Sequence, residues 1–178
     1  MSGEPFERIE SEVTHDGIVG QVRVERFRHA DGDEVQREVI GHMGAVGILA
    51  YDDDHVWLVR QPREAVGEWT LEVPAGKLDE EGESPLETAQ RELAEEIGKA
   101  AEQWEALDWF YSSPGFTDEK VELFAATDLR DESAESGEEE RIEVVPWPLD
   151  RLDEAIAQSR DSKTLIALHM LARRLRTG

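Results

Sequence analysis

Apolar residues recur along this chain with two different periods, and the alternation between them outlines the fold. Residues 45–51 and 56–61 are nearly unbroken apolar runs of strand length, separated by Asp52, Asp53 and Asp54, which predicts a hairpin of two central strands. Residues 69–74, 104–111, 121–127 and 142–147 read as further strands, the second and third flanking a Ser-, Pro- and Gly-containing loop at 112–119. Between them the period changes. Leu86, Ala89, Leu93 and Ile97 recur at helical spacing, Ser84 and Pro85 supply an N-cap and a first-turn proline, Glu87 completes a capping box, and Gly98 follows as C-cap. Two more helical stretches are predicted at 149–158 and 162–175, the latter carrying Leu165, Leu168, Leu171, Ala172 and Leu175 at core spacing. Ahead of all this, residues 10–42 show extended segments at 18–27 and 34–40 around a turn at 30–33. Helices after and between strands of a mixed sheet make the class α/β. The expected organisation is an N-terminal antiparallel β appendage over residues 1–42 and one main domain over residues 43–178, with an exposed loop at 131–140 and no internal repeat.

Composition narrows the function classes. A chain of 178 residues with 39% hydrophobic content can bury one real core and is too short for two full domains. Its net charge of −23 argues against nucleic-acid and anionic-membrane partners, because long-range repulsion opposes both. Lysine occurs only at positions 77, 99, 120 and 163, and this Arg-for-Lys bias with abundant Asp and Glu resembles cytosolic proteins of salt-loving microbes. With no cysteine, disulfide, thiolate and Cys-zinc chemistry are excluded. No basic-then-apolar leader opens the chain and no run approaches bilayer length, so a cytoplasmic protein is expected. The five histidines show no metal-ligand spacing and read as surface or structural residues.

The chemistry concentrates on the helix after Ser84. Glu92, Glu95 and Glu96 lie three and four residues apart, hence on one side of the helix, where like charges repel unless a cation intervenes. Hard cations such as Mg²⁺ or Mn²⁺ prefer carboxylate oxygen and keep waters or substrate phosphates as their remaining ligands, so the expected partner is a phosphorylated small molecule.

With Gly76 and Glu83 before it, the run Arg91-Glu92-x-x-Glu95-Glu96-x-Gly98 resembles the Nudix box, G-x5-E-x7-R-E-U-x-E-E-x-G-U with U a bulky apolar residue. Two departures stand out: six residues separate Gly76 from Glu83, and Lys99 occupies the last apolar position. The extra residue falls in a turn at 79–82 that can absorb it, and Lys99 lies beyond the helix C-cap, where a cation suits the dipole. Residues 37–39, 44–46, 59–63, 71–77 and the Ser113-Pro114-Gly115 loop are similar to the ADP-ribose pyrophosphatase branch of that family, so the resemblance covers about residues 35–175.

The resemblance implies an α/β/α sandwich of Nudix type, hydrolysis of ADP-ribose to AMP and ribose 5-phosphate, and a homodimer formed through the appendage. Carried over by position, Glu92 and Glu96 would be metal ligands, Glu95 a ligand or near-ligand, and the Ala75 carbonyl a further donor. Arg91 would hold the box carboxylates in place. Arg37, Arg63, Ser113, Pro114 and Gly115 would contact substrate. In the acidic loop, Glu140 would be a further ligand and Glu138 the base, with Glu139 between them. Another nucleoside diphosphate sugar or dinucleotide as substrate, or a non-catalytic nucleotide sensor, remain the alternatives.

Overall fold

A computed structural model of the chain describes residues 5–133 and 141–177. They divide into two units, residues 5–44 with 111–120, and residues 45–110 with 121–133 and 141–177.

The first unit is a three-stranded antiparallel sheet of β1 (Phe6–Asp16), β2 (Gln21–His29) and β3 (Glu34–Gly41) in sequential order. Two features differ from the expectation. Phe6–Asp16 forms a full strand although its polar sequence lacks a clean alternation, because backbone pairing with β2 over nine positions supplies what side chains do not. Ile18 and Val19, expected to open a strand, lie instead in a turn closed by the Gly17 N–H donating to the Gly20 carbonyl at 3.1 Å. The loop at 111–120 also belongs here rather than with the strands it connects. The Ile40 N–H donates to the Phe116 carbonyl at 2.8 Å, Arg23 pairs with Asp118 at 2.6 Å, and the His42 N–H donates to the same Asp118 carboxylate at 2.8 Å.

The second unit is an α/β/α sandwich, as predicted. Its mixed sheet contains β4 (Ala45–Tyr51), β5 (His55–Arg63), β8 (Lys99–Tyr111), β9 (Lys120–Asp131) and β10 (Glu143–Pro148) in the order β10-β5-β4-β9-β8. The β4–β9 pairing is parallel. Two short strands, β6 (Glu68–Glu72) and β7 (Ala75–Lys77), join it by pairing with β5 and β4. Strand alternation splits the core into two faces. Val46, Ile48 and Ala50 of β4 pack with Ala89, Leu93 and Ile97 of α1 (Pro85–Ile97). Leu49 faces the other way, with Leu152 and Ala155 of α2 (Leu152–Gln158) and Leu168, Leu171 and Ala172 of α3 (Ser162–Thr177). Both faces of β4 are therefore covered, which explains its unbroken apolar run. Leu86 and Leu175, expected in the core, are exposed at the outer ends of their helices.

One detail of the sheet places the chemistry. β4 and β5 pair only at Ala50–Trp57 and Tyr51–Val56, next to their connecting turn. Beyond that they diverge, and the segment at 68–77 fills the gap, pairing with β5 through residues 68–72 and with β4 through residues 75–77. Val73 and Pro74 are carried across between two buried strands, delivering Ala75 and Gly76 to the underside of α1.

The start of α1 is held by a reciprocal cap: the Glu87 N–H donates to the Ser84 hydroxyl oxygen, and the Ser84 N–H donates to the Glu87 carboxylate at 2.8 Å. Gly98 closes the helix at φ 66°, a left-handed value that glycine adopts without strain. Replacing Ser84 by Ala should lower the unfolding free energy by about 1 kcal/mol in urea titration with the slope unchanged; an unmoved midpoint would show that the cap does not hold this helix in register.

Candidate functional site

α1 meets β7 so closely at Ala75 and Gly76 that any side chain at Gly76 would force Glu92 to move. A methyl group at Gly76 would overlap the carboxylate of Glu92, which lies against the Gly76 Cα. One turn along, Glu96 is buried and its carboxylate accepts a hydrogen bond from the Ala75 N–H at 3.0 Å. Two helix carboxylates thus bear on two consecutive backbone residues, because positions four apart share a helix face.

Arg91 gathers the remaining charges. Its Nε donates to Glu83 at 3.2 Å, and its Nη1 donates both to Glu92 at 2.8 Å and to Glu95 at 3.0 Å. Thr88 adds a hydroxyl donor to Glu83 at 3.0 Å. Desolvation works against the charged guanidinium, yet Glu83, Glu92 and Glu95 outweigh it and raise the Arg91 pKa further. Three box carboxylates, Glu83, Glu92 and Glu95, consequently share one guanidinium, while Glu96 is held by the Ala75 N–H. Arg91 draws Glu95 towards itself, and among the described residues no three acidic or histidine side chains close around one point as a formed metal cage. The donor set nevertheless suits a hard cation: Glu92, Glu95, Glu96 and the Ala75 carbonyl offer only oxygen. Glu138 and Glu140, expected to supply the base and a further ligand, lie outside the described residues.

Arg63, expected to contact substrate, ends β5 with a half-exposed side chain whose fork is engaged by Glu72: Nε at 2.7 Å and Nη2 at 2.8 Å from its two carboxylate oxygens. Glu72 also accepts from the Thr70 hydroxyl at 2.6 Å and from Lys163. Burial alone would raise this carboxyl, but Arg63 and Lys163 hold it at about 2. Glu72, in turn, raises the Arg63 pKa, with the Glu96 charge adding in the same direction, so the guanidinium lies within electrostatic reach of the box. Sequence reasoning missed this network. Its signals were an acid amid the apolar residues 71–73 and a lysine, scarce in this chain, beside the α3 cap.

In the first unit, Arg37, Pro114 and Gly115 line one cavity of about 430 Å³ together with Phe27, Arg8 and Arg23. Ser113 anchors the loop instead, its carbonyl accepting from the Phe116 and Thr117 N–H groups at 3.1 Å each.

A family model described as NUDIX domain matches residues 41–168. The chain is 43% identical over 132 residues to the ADP-ribose pyrophosphatase of Mycobacterium tuberculosis, a match covering 74% of this chain and 64% of that one, so it spans just under two thirds of that relative's length. It is 37% identical over 168 residues to the ADP-ribose pyrophosphatase of Bacillus subtilis, covering 92% and 90% of the two chains. A methanol dehydrogenase activator of Bacillus methanolicus is 37% identical over 176 residues, covering 95% of each. Among solved structures, a crystal structure of an ADP compounds hydrolase superposes with a TM-score of 0.86 at 25% identity, covering 99% of this chain and 97% of that one.

Glu72 generates a prediction with a defined sign. Its pKa is depressed by folding, so its contribution to stability is present above the ordinary carboxylate value of 4.5 and is lost as pH falls through about 2. At neutral pH, Glu72→Gln should cost about 3 kcal/mol by leaving Lys163 and Arg63 without their shared anion. In urea titrations across pH 7 to 2 the gap between wild type and variant should narrow below about pH 4.5; a gap independent of pH would mean that Glu72 is not held ionised by its neighbours.

Proposed function

The chain belongs to the Nudix hydrolase family, and on that premise we propose that it hydrolyses the pyrophosphate bond of ADP-ribose in a Mg²⁺-dependent reaction that releases AMP and ribose 5-phosphate. The observation that carries this reading is the seating of Glu92 and Glu96 on the backbone of Gly76 and Ala75, which gathers oxygen donors beside a glycine where a side chain would displace Glu92.

Glu92, Glu95, Glu96 and the Ala75 carbonyl would hold Mg²⁺, or Mn²⁺ in its place, and the bound ion would supply charge neutralisation for phosphate oxygens and a water of lowered pKa. The chain's own residues do the rest. Arg91 ties Glu92 and Glu95 to Glu83 and keeps the carboxylates from splaying under their mutual repulsion. Arg63 offers a planar two-pronged donor matched to phosphate oxygens. Glu138 accepts the proton of the attacking water, and Glu140 adds a carboxylate to the donor set. Exposed Phe6 and Val13 on β1 support a homodimer assembled through the three-stranded sheet.

A second reading, activity on ADP-linked compounds more broadly, draws on the likeness to the ADP compounds hydrolase structure. The box arranges a pyrophosphate site without choosing the groups on either side of it.

Purified protein should convert ADP-ribose to AMP and ribose 5-phosphate in preference to a panel of nucleotide sugars and dinucleotides, assayed with Mg²⁺ or with chelator and at low and molar salt. Preference for another compound would retain the hydrolase and discard ADP-ribose; no turnover of any compound would favour a sensor. Glu96→Gln keeps an acceptor for the Ala75 N–H, so it should stay folded while losing about a hundredfold in kcat. Gly76→Ala should displace Glu92 and weaken Mn²⁺ binding, read by calorimetry, by about tenfold with the melting point little changed; unaltered affinity would remove Glu92 from the donor set.

A further inference from the structure

Glu72 is a buried carboxylate with two cationic partners of unequal freedom. Its side chain is 2% exposed, that of Lys163 is 13% exposed and that of Arg63 is 44% exposed. Lys163 is fixed on several sides. Its ammonium sits between Glu72 and Asp161, 3.1 Å from the latter, and its Cδ runs beside Gly47, where a β-carbon would come within 3.8 Å. Asp161 is itself immobilised as the α3 cap, accepting from the Thr164 N–H at 2.9 Å and the Thr164 hydroxyl at 2.6 Å. The same hydroxyl accepts from the Val73 N–H at 2.9 Å, tying the cap to the strand that leads into Ala75 and Gly76. Among the described residues the Arg63 guanidinium hydrogen-bonds to Glu72 alone, with Asp161 and Glu96 acting on it only through their charge.

An arginine forked onto a buried carboxylate is a poor phosphate ligand if its departure strands that carboxylate, since breaking a buried pair on one side costs several kcal/mol. A second cation that stays behind removes most of this cost. We infer that Lys163 is a positioning residue for the hydrolytic reaction, holding Glu72 neutralised so that Arg63 can transfer its two-pronged donor from Glu72 to a phosphate oxygen of the substrate. The inference rests on the proposed role of Arg63 in substrate binding. Asp161 and Glu72 fix the ammonium, Glu72 parks the guanidinium near the box when no substrate is bound, and the substrate's phosphate competes with Glu72 for it. No proton changes place and no bond forms or breaks; the exchange is of one ion pair for another.

The test is a steady-state comparison of wild type, Lys163→Met, Glu72→Gln and the double variant on ADP-ribose with Mg²⁺, with melting points and Arg63→Ala alongside. Lys163→Met keeps the stem and removes the charge, leaving Arg63 as the principal cation on Glu72. Its KM should rise about tenfold with kcat within about twofold, because the arginine is then withheld from substrate binding. Adding Glu72→Gln releases Arg63, and KM should return to within about threefold of wild type. A merely structural Lys163 gives the opposite pattern, with the double variant worse than either single one. That outcome, or an unchanged KM in a folded Lys163→Met, overturns the inference while wild-type turnover leaves the functional reading intact. Unchanged KM in Arg63→Ala overturns it as well, by removing the arginine from binding. If wild type does not hydrolyse ADP-ribose, the functional reading falls and the inference falls with it.

Discussion

The contact between α1 and β7 at Ala75 and Gly76 is the constraint to which the rest of this unit conforms. It sets a glycine where Glu92 lies and a backbone N–H where Glu96 lies, and both depend on the height and rotation at which the helix approaches the strand. The height follows from the sheet. β4 and β5 diverge after two paired positions, and residues 68–77 enter the gap, so that Ala75 and Gly76 are presented from a strand instead of a mobile loop. The rotation follows from the apolar stripe of Ala89, Leu93 and Ile97, which locks the adjoining side of the helix onto Val46, Ile48 and Ala50. Packing of that stripe thereby sets the carboxylate positions on the flank beside it. The gathered negative charge would push the helix off, and burial of that stripe, together with Arg91 and the Ser84 cap, opposes it.

What was legible in the sequence was what local chemistry determines. The caps of α1, the hairpin of β4 and β5 and the helical spacing of Leu168, Leu171 and Ala172 all follow from residues within a few positions of one another. The box motif marked Glu92, Glu95, Glu96 and Arg91 for the same reason, since four of its positions share two helical turns. Gly76 was recognisable as part of the motif, but its cause, a carboxylate pressed against its Cα, is a contact across sixteen residues that no local pattern encodes.

The less legible parts are long-range or lack a hydrophobic signature. β1 is held by backbone pairing and carries mostly exposed side chains, so its periodicity says little. The loop at 111–120 joins the first unit through Asp118, which bonds to Arg23 across 95 residues and to the His42 N–H across 76. Glu72 and Lys163 are 91 residues apart, and nothing near either one announces the other. Even so, each carried a faint mark. An acid between Leu71 and Val73 must find a counter-charge if its strand is buried, and in a chain with four lysines the one beside a helix cap was a reasonable candidate to provide it.

How a chain of net charge −23 could accept an anionic substrate follows from the difference between exposed and buried charge. Exposed carboxylates act through solvent and are screened beyond about 10 Å at 0.1 M salt, so they slow the encounter with an anion more than they weaken its final contacts. Within the second unit the buried acids have been given partners: Glu72 has two cations, and Glu96 has a backbone N–H. Arg91 is committed to three carboxylates through hydrogen bonds and cannot turn to a phosphate without releasing them. Arg63 differs, because the carboxylate it hydrogen-bonds, Glu72, is shared with a second cation. A second cation fixed on the same buried acid is the condition under which an arginine can be exchanged between partners, and in this acidic chain that cation, Lys163, comes from a distant residue held in place by Asp161.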